Sequence, residues 1–256
     1  MKTLLSIVRA ECIKLKHTSL FTIAIWVAIM PVGMVALIYL SQSDANTVWR
    51  WPAFASSVMQ IWLQLIMALF IGAMAAQYLG IEHASNAWKL LFSTPPSKRS
   101  IVLAKWLVLT LLVLVSFLAV TIALYGGGAL LQAIRPHAAL MPQAFTHIAH
   151  DLLMYGGIFI AALGIITIQY ALAFAVRTMS VPIMVAVAGF MAATMAAGRE
   201  LLLHLLPWSW PYQLYLQATH GANAKVAIGY TVAASLVVTI VVLGSMMMYI
   251  NKRDEL

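Results

Sequence analysis

Apolar residues run almost unbroken for long stretches of this chain, and polar residues collect in the pieces between them. A helix needs about 20 consecutive apolar residues to cross a bilayer. Six segments meet that length, 20–40, 57–80, 101–125, 155–176, 181–204 and 226–250. The pattern therefore predicts an all-α polytopic membrane protein with six spans and both chain ends on one side. Between the spans lie a leading segment, 1–19, an elbow, 82–100, and two segments on the opposite side, 126–154 and 199–225. None is long or mixed enough to bury a core of its own, which predicts a single transmembrane domain over 1–256.

The leading segment has a helical period. At 100° per residue, Leu4, Leu5, Ile7, Val8, Cys12 and Leu15 gather on one arc and Lys2, Ser6, Arg9 and Lys16 on the other. This predicts a helix lying in the membrane interface, its basic face toward anionic headgroups. Glu11 breaks the pattern by falling on the apolar arc, and Ile13 by falling on the polar one. Either the amphipathicity is imperfect, or Glu11 faces a protein partner or a neighbouring basic residue.

The elbow lies within "IEHASNAWKLLFSTPPSKRSIVLAKW", residues 81–106. Its first half suits a helix, which Ser93, Thr94, Pro95 and Pro96 then stop, because proline lacks an amide donor and disfavours helix before it. Ser97 is placed to cap the helix that follows. A plain connection between spans needs only a few residues, so more than chain reversal is encoded. One reading is an interfacial anchor for the third span. The other is a docking element whose aromatic anchor, Trp88, is ringed by Glu82, Lys89, Lys98 and Arg99, since Trp and Arg are the types that dominate interface energetics.

Composition agrees with the membrane reading: 63% of residues are hydrophobic and 9% charged, with mean hydropathy +0.95, against about 25% charged in soluble domains. The net charge of +8 is concentrated near span ends, so it points to topology and lipid headgroups rather than nucleic acid. Lys2, Arg9, Lys14, Lys16, Lys89, Lys98, Arg99, Lys105, Arg177, Lys252 and Arg253 share one side; Arg50, Arg135, Arg199 and Lys225 take the other. Lys and Arg concentrate in cytoplasmic loops, so both termini and the elbow are expected in the cytoplasm. The opposite side carries Trp49, Trp51, Trp208, Trp210, Tyr212 and Tyr215, residue types that anchor at headgroup depth. On this topology the closing "KRDEL" is cytosolic and is not read as a retention signal. The N-terminus is expected to be retained, and the lone Cys12 excludes an internal disulfide.

Candidate chemistry is sparse. Polarity inside the spans comes from Gln60, Gln64, Gln77, Gln169, Tyr78 and Tyr170, with none of the mid-membrane carboxylates that ion-coupled transporters use. Gln60 and Gln64, four apart, share a helix face and suit either interhelical hydrogen bonding or a polar path. His147, His150 and Asp151 have ligand-like spacing, but a solvated helix face explains them without a metal. Arg199 and Glu200 are adjacent, point different ways on a helix, and are read as reaching neighbours or headgroups or, alternatively, as gating. No GxxxxGK[ST] phosphate loop is present, so ATP hydrolysis by that device is excluded. A membrane-embedded enzyme lacks its catalytic constellation. A secondary transporter, the other class weighed, lacks both intramembrane charge and an evident repeat.

Taken together, "AECIKLKHTSLF", six spans, the elbow "EHASNAWKLLFSTPPSKRSIVLAKW" and the proline-broken aromatic segment before the last span resemble the membrane subunit of an ABC-2 type ATP-binding-cassette exporter. The similarity is strongest to the permeases of the bacteriocin and lantibiotic immunity group. The resemblance implies a type V exporter-like fold with an N-terminal connecting helix bearing Arg9, Glu11 and Lys14. It implies a coupling helix in which Glu82, Trp88, Lys89, Lys98 and Arg99 contact a soluble ABC ATPase, and short external helices before the last span. It further implies a second permease as partner, identical or homologous, with ATP and Mg bound only by the ATPase. Gln60 and Gln64 become candidates for the translocation path, and Arg199 and Glu200 for the external gate. The expected function is export of an amphipathic peptide or lipid-like compound across a bacterial inner membrane, with self-immunity or resistance as a role.

Overall fold

The computed structural model describes residues 2–16, 18–41, 50–85, 87–93, 96–134, 140–220 and 224–252. Helices are α1 (Lys2–Leu15), α2 (Leu20–Ser41), α3 (Trp51–Gln60), α4 (Met67–Ala84), α5 (Trp88–Phe92), α6 (Lys98–Ile134), α7 (Leu140–Ala175), α8 (Ser180–Met195), α9 (Glu200–Leu205), α10 (Trp210–His220) and α11 (Ala224–Lys252). No strand occurs among the described residues. A π-helical turn, Ile61–Ile66, joins α3 to α4, giving one continuous rod over Trp51–Ala84.

Five helices are long and apolar enough to cross a membrane, and α8 is a shorter apolar helix of 16 residues. The fifth span expected over 181–204 stops early. After Met195 the chain turns at Gly198, whose φ of +83° belongs to the left-handed region that glycine occupies without steric cost. The rest of that stretch folds back as α9, the 3-10 turn Pro207–Ser209 and α10. These are the short helices expected before the last span.

The other departure concerns 126–154, expected as a segment between spans, which opens on Gly126, Gly127 and Gly128. Instead α6 runs on through them to Ile134 and α7 begins at Leu140. Membrane helices carry glycine more readily than soluble ones, and here it has a packing use. A Cβ on Gly127 would lie 2.7 Å from a methyl of Val32, so the glycine lets α2 approach α6.

Of the spans, Trp51–Ala84 and the α7 span are the most enclosed, 67% and 56% buried in their apolar windows; α2 and the α11 span, 28% each, are peripheral. α7 touches α4, α6, α10 and α11, while α2 lies on α6 and α8 on α4. Outward faces keep large apolar side chains, such as Trp26, Leu37, Ile122 and Ile240, as a hydrocarbon solvent permits. Small residues set close crossings: a Cβ on Gly72 would come within 2.6 Å of Ala186 between α4 and α8. Gln169 of α7 fastens the start of α8, its amide nitrogen donating to the Pro182 carbonyl (3.0 Å) and its oxygen accepting from the Ala186 amide (3.3 Å).

Several of the aromatics expected to anchor at headgroup depth face protein. Trp51, Trp210 and Tyr215 are buried, and Trp51 packs on Tyr125 with ring centroids 4.9 Å apart. Trp49 lies outside the described residues.

Candidate functional site

At the elbow end, three helices bring charged groups to one point. α1 packs along α6, and its buried or half-buried face is Leu4, Ile7, Val8, Glu11, Lys14 and Leu15. Leu5 and Ile13 are exposed. The arc read from sequence is therefore rotated: Glu11 is no exception to an apolar face but sits in the middle of the face that meets protein. Arg9, on the far side, is exposed.

Glu11 meets Lys105, two turns into α6. The Lys105 ammonium donates to Glu11 Oε1 and to Glu82 Oε1, each at 2.8 Å, and both Lys105 and Glu82 are fully buried. Lys14 also ion-pairs with Glu82 Oε1. The Tyr78 hydroxyl, one turn before Glu82 on the same face of α4, donates to Glu11 Oε2 at 2.8 Å. Two carboxylates and two ammoniums thus neutralise one another. The Lys105 charge also lies 5.2 Å from the Tyr78 ring centroid and 5.7 Å from that of Trp88, within cation–π range.

Buried ions remain charged only when paired and hydrogen-bonded. This cluster satisfies its members with one exception, Glu82 Oε2, which has no partner among the described residues. Its chemical capacity is positional. It fixes α1, the end of α4 and the start of α6 to one another.

The elbow follows directly. α4 ends at Ala84, and α5 is a separate short helix rather than a continuation of it, which divides the single elbow helix expected from sequence. Ser97 caps α6 as expected, its Oγ accepting from the Ser100 amide at 3.3 Å. Trp88 is half-buried: its indole N–H donates to His83 Nδ1 (3.2 Å), and its ring meets Phe174 edge-on at 4.9 Å. His83 Nε2 lies 2.9 Å from the Ala173 carbonyl, so this ring carries its proton on Nε2 and ties the elbow to the end of α7. A cleft of about 250 Å³ opens here, lined by His83, Trp88, Phe92, Phe174, Ala175 and Arg177.

The residues expected to contact a partner thus separate. Trp88 lines the open cleft, Lys98 lies 5.6 Å over the Phe92 ring, and Arg99 is exposed. Lys89 has its side chain outside the described residues. Glu82 is a correction: at 0% exposure it has no surface to offer, because Lys105 and Lys14 draw its carboxylate inward. Lys105, Tyr78, His83, Phe174 and Arg177 join the site although the sequence reading gave them no role in it.

Elsewhere, Gln60 is exposed, whereas Gln64, in the π-helical turn, lines a cavity of about 180 Å³ with Trp208, Tyr212 and Gln213. The two amides do not share a site. Arg199 and Glu200 are both exposed at the start of α9. Asp151 is buried and accepts from the Tyr125 hydroxyl at 3.1 Å, with the exposed His150 ring 3.6 Å away; the His147 side chain lies outside the described residues.

A family model described as ABC-2 family transporter protein matches residues 7–193, which take in most of α1, the elbow and the charge cluster. No curated protein matches the chain.

Proposed function

The chain belongs to the ABC-2 family of transporter proteins, and from that premise we propose that it is the permease subunit of an ATP-driven exporter. Its elbow end faces the cytoplasm and receives a separate ABC ATPase, which supplies the ATP and Mg chemistry that the chain lacks. The observation that carries this reading is Lys105 holding Glu11 and Glu82 together. A push at the elbow reaches α1, α4 and α6 at once, which is what a docking element must do to move spans.

In this reading the ATPase meets Trp88, Phe92, Lys98, Arg99 and Arg177 around the cleft, and Lys89 contributes to the same contact, while Glu82 acts from within. Arg9, Glu11 and Lys14 belong to a connecting helix that rides with the elbow. Two permeases, identical or homologous, flank the route, and the chain resides in a bacterial inner membrane with both termini cytoplasmic. Gln64 faces the polar side of the path, and Arg199 and Glu200 stand at its outer gate. The cargo is an amphipathic peptide or lipid-like compound, and immunity to a bacteriocin is the role that the resemblance favours.

Purification of the tagged chain from its native membrane tests the docking claim. A subunit containing a GxxxxGK[ST] loop is expected to copurify, and to be depleted from a Trp88→Ala/Arg99→Ala variant that elutes as a normal monodisperse peak. Full transport in vesicles without any such subunit refutes the reading.

A further inference from the structure

At the end of the bundle opposite the elbow lies a cavity of about 440 Å³, bounded by the first turns of α3, residues 150–155 of α7 and the last turns of α10. Its walls include Trp51, Tyr155 and Tyr215, each less than a tenth exposed, and Asp151 with the His150 ring at its rim. The Asp151 side chain is 11% exposed. A carboxylate has about four lone-pair sites, and among the described residues the hydrogen bond to Asp151 comes from the Tyr125 hydroxyl alone. His150 stands 3.6 Å off, beyond hydrogen-bond reach. Among the described residues no Lys or Arg lines the cavity. Elsewhere in the molecule buried carboxylates are answered by ammonium groups, as Glu11 and Glu82 are by Lys105. Burial pushes the Tyr215 hydroxyl up to about 12, with the Asp151 charge adding to it, so the phenol stays neutral and its ring remains an intact wall.

A buried carboxylate with no Lys or Arg beside it among the described residues, enclosed by aromatic rings, is an arrangement that recognises alkylammonium ions: the carboxylate supplies charge and the rings supply cation–π faces. We propose that this cavity binds an ammonium group, seated against Asp151 and between Trp51, Tyr155 and Tyr215. The group is the head of a soluble amine or of a zwitterionic phospholipid. The site is independent of any ATPase.

The test uses the intact chain in lipid-free detergent, titrated with choline and with its uncharged carbon isostere 3,3-dimethylbutan-1-ol by saturation-transfer NMR. Choline is expected to bind saturably, the isostere at least about tenfold more weakly, the equivalent of about 1.4 kcal/mol. Asp151→Asn keeps an acceptor for Tyr125 and is expected to fold normally yet lose choline by a similar factor. A second arm reconstitutes the chain in nanodiscs of phosphatidylethanolamine or of phosphatidylglycerol. Choline binding blocked only in phosphatidylethanolamine assigns the site to the lipid headgroup; binding retained in both assigns it to a soluble amine. Absence of choline binding in detergent, equal binding of the isostere, or binding unchanged in a folded Asp151→Asn variant overturns the proposal.

Discussion

Lys105 is the residue on which the elbow end depends most, because it is the only cation that touches both Glu11 and Glu82 among the described residues. Removing one partner from a buried pair leaves an uncompensated charge, and costs about 3–5 kcal/mol. Lys105→Met is therefore expected to lower the thermal unfolding midpoint of the detergent-solubilised chain sharply. Adding Glu82→Gln to it should recover much of the loss, since the double variant buries less unpaired charge. A midpoint unchanged by Lys105→Met would mean that the cluster is hydrated. Tyr78→Phe is a milder probe: it deletes a hydrogen bond to a buried carboxylate, worth about 1.5–3 kcal/mol, and should shift the midpoint less than Lys105→Met does. Glu11 itself was visible in the sequence as a carboxylate on a helical arc where none belonged. Its partner was not. Lys105 served equally well as a topology-setting cation, and nothing in the order of residues says that positions 11, 82 and 105 converge, because that depends on how α1 lies along α6. The signal that existed was a lysine seven residues inside an otherwise apolar helix.

Among the elements, boundaries depend on what a glycine does in place. Gly126 and Gly198 look alike in sequence, yet the first lies inside α6 with open space around its Cα and the second turns the chain at φ +83°. Gly126→Ala is expected to be neutral or stabilising by up to about 1 kcal/mol, whereas Gly198→Ala should cost about 1–2 kcal/mol through the left-handed backbone. Unfolding midpoints of the two variants, measured side by side, check the contrast. Gly189 makes the same point by packing: a Cβ there would lie 2.3 Å from the Trp208 ring. Gly189→Val is expected to push Trp208 and the α9–α10 hairpin away from α8, read as a red shift of tryptophan emission that disappears in a Trp208→Phe background. The long apolar rods were legible because a bilayer demands them. The extension of α6 through three glycines was not, since the use of Gly127 there is to admit Val32 of α2, a contact between distant parts of the chain.

For the whole molecule, burial separates two kinds of elbow residue, and the difference can be measured in the assembled transporter. Trp88 and Arg99 are accessible and would supply binding surface, whereas Glu82 is enclosed and would transmit only what the surface receives. Replacing Trp88 or Arg99 should weaken ATPase attachment; Arg99→Ala should leave the permease as stable as before, and Trp88→Ala should cost some stability through its lost His83 and Phe174 contacts. Glu82→Gln should do the reverse in proteoliposomes: the ATPase stays attached and hydrolyses ATP, but the rate increment caused by transported substrate falls by about fivefold or more, the low end of ordinary coupling free energies. The direction follows from the cluster, because a neutral amide still fills the space beside Lys105 while giving up the charge that binds α4 to α1 and α6. Two discrete arrangements of those helices are required for coupling, and a looser joint lets the elbow move without carrying the spans. Loss of ATPase attachment in Glu82→Gln equal to that in Trp88→Ala would place Glu82 at the contact surface after all. A substrate-dependent increment that is untouched would mean that force reaches the spans by another route, with His83 and its hold on the end of α7 as the next element to replace.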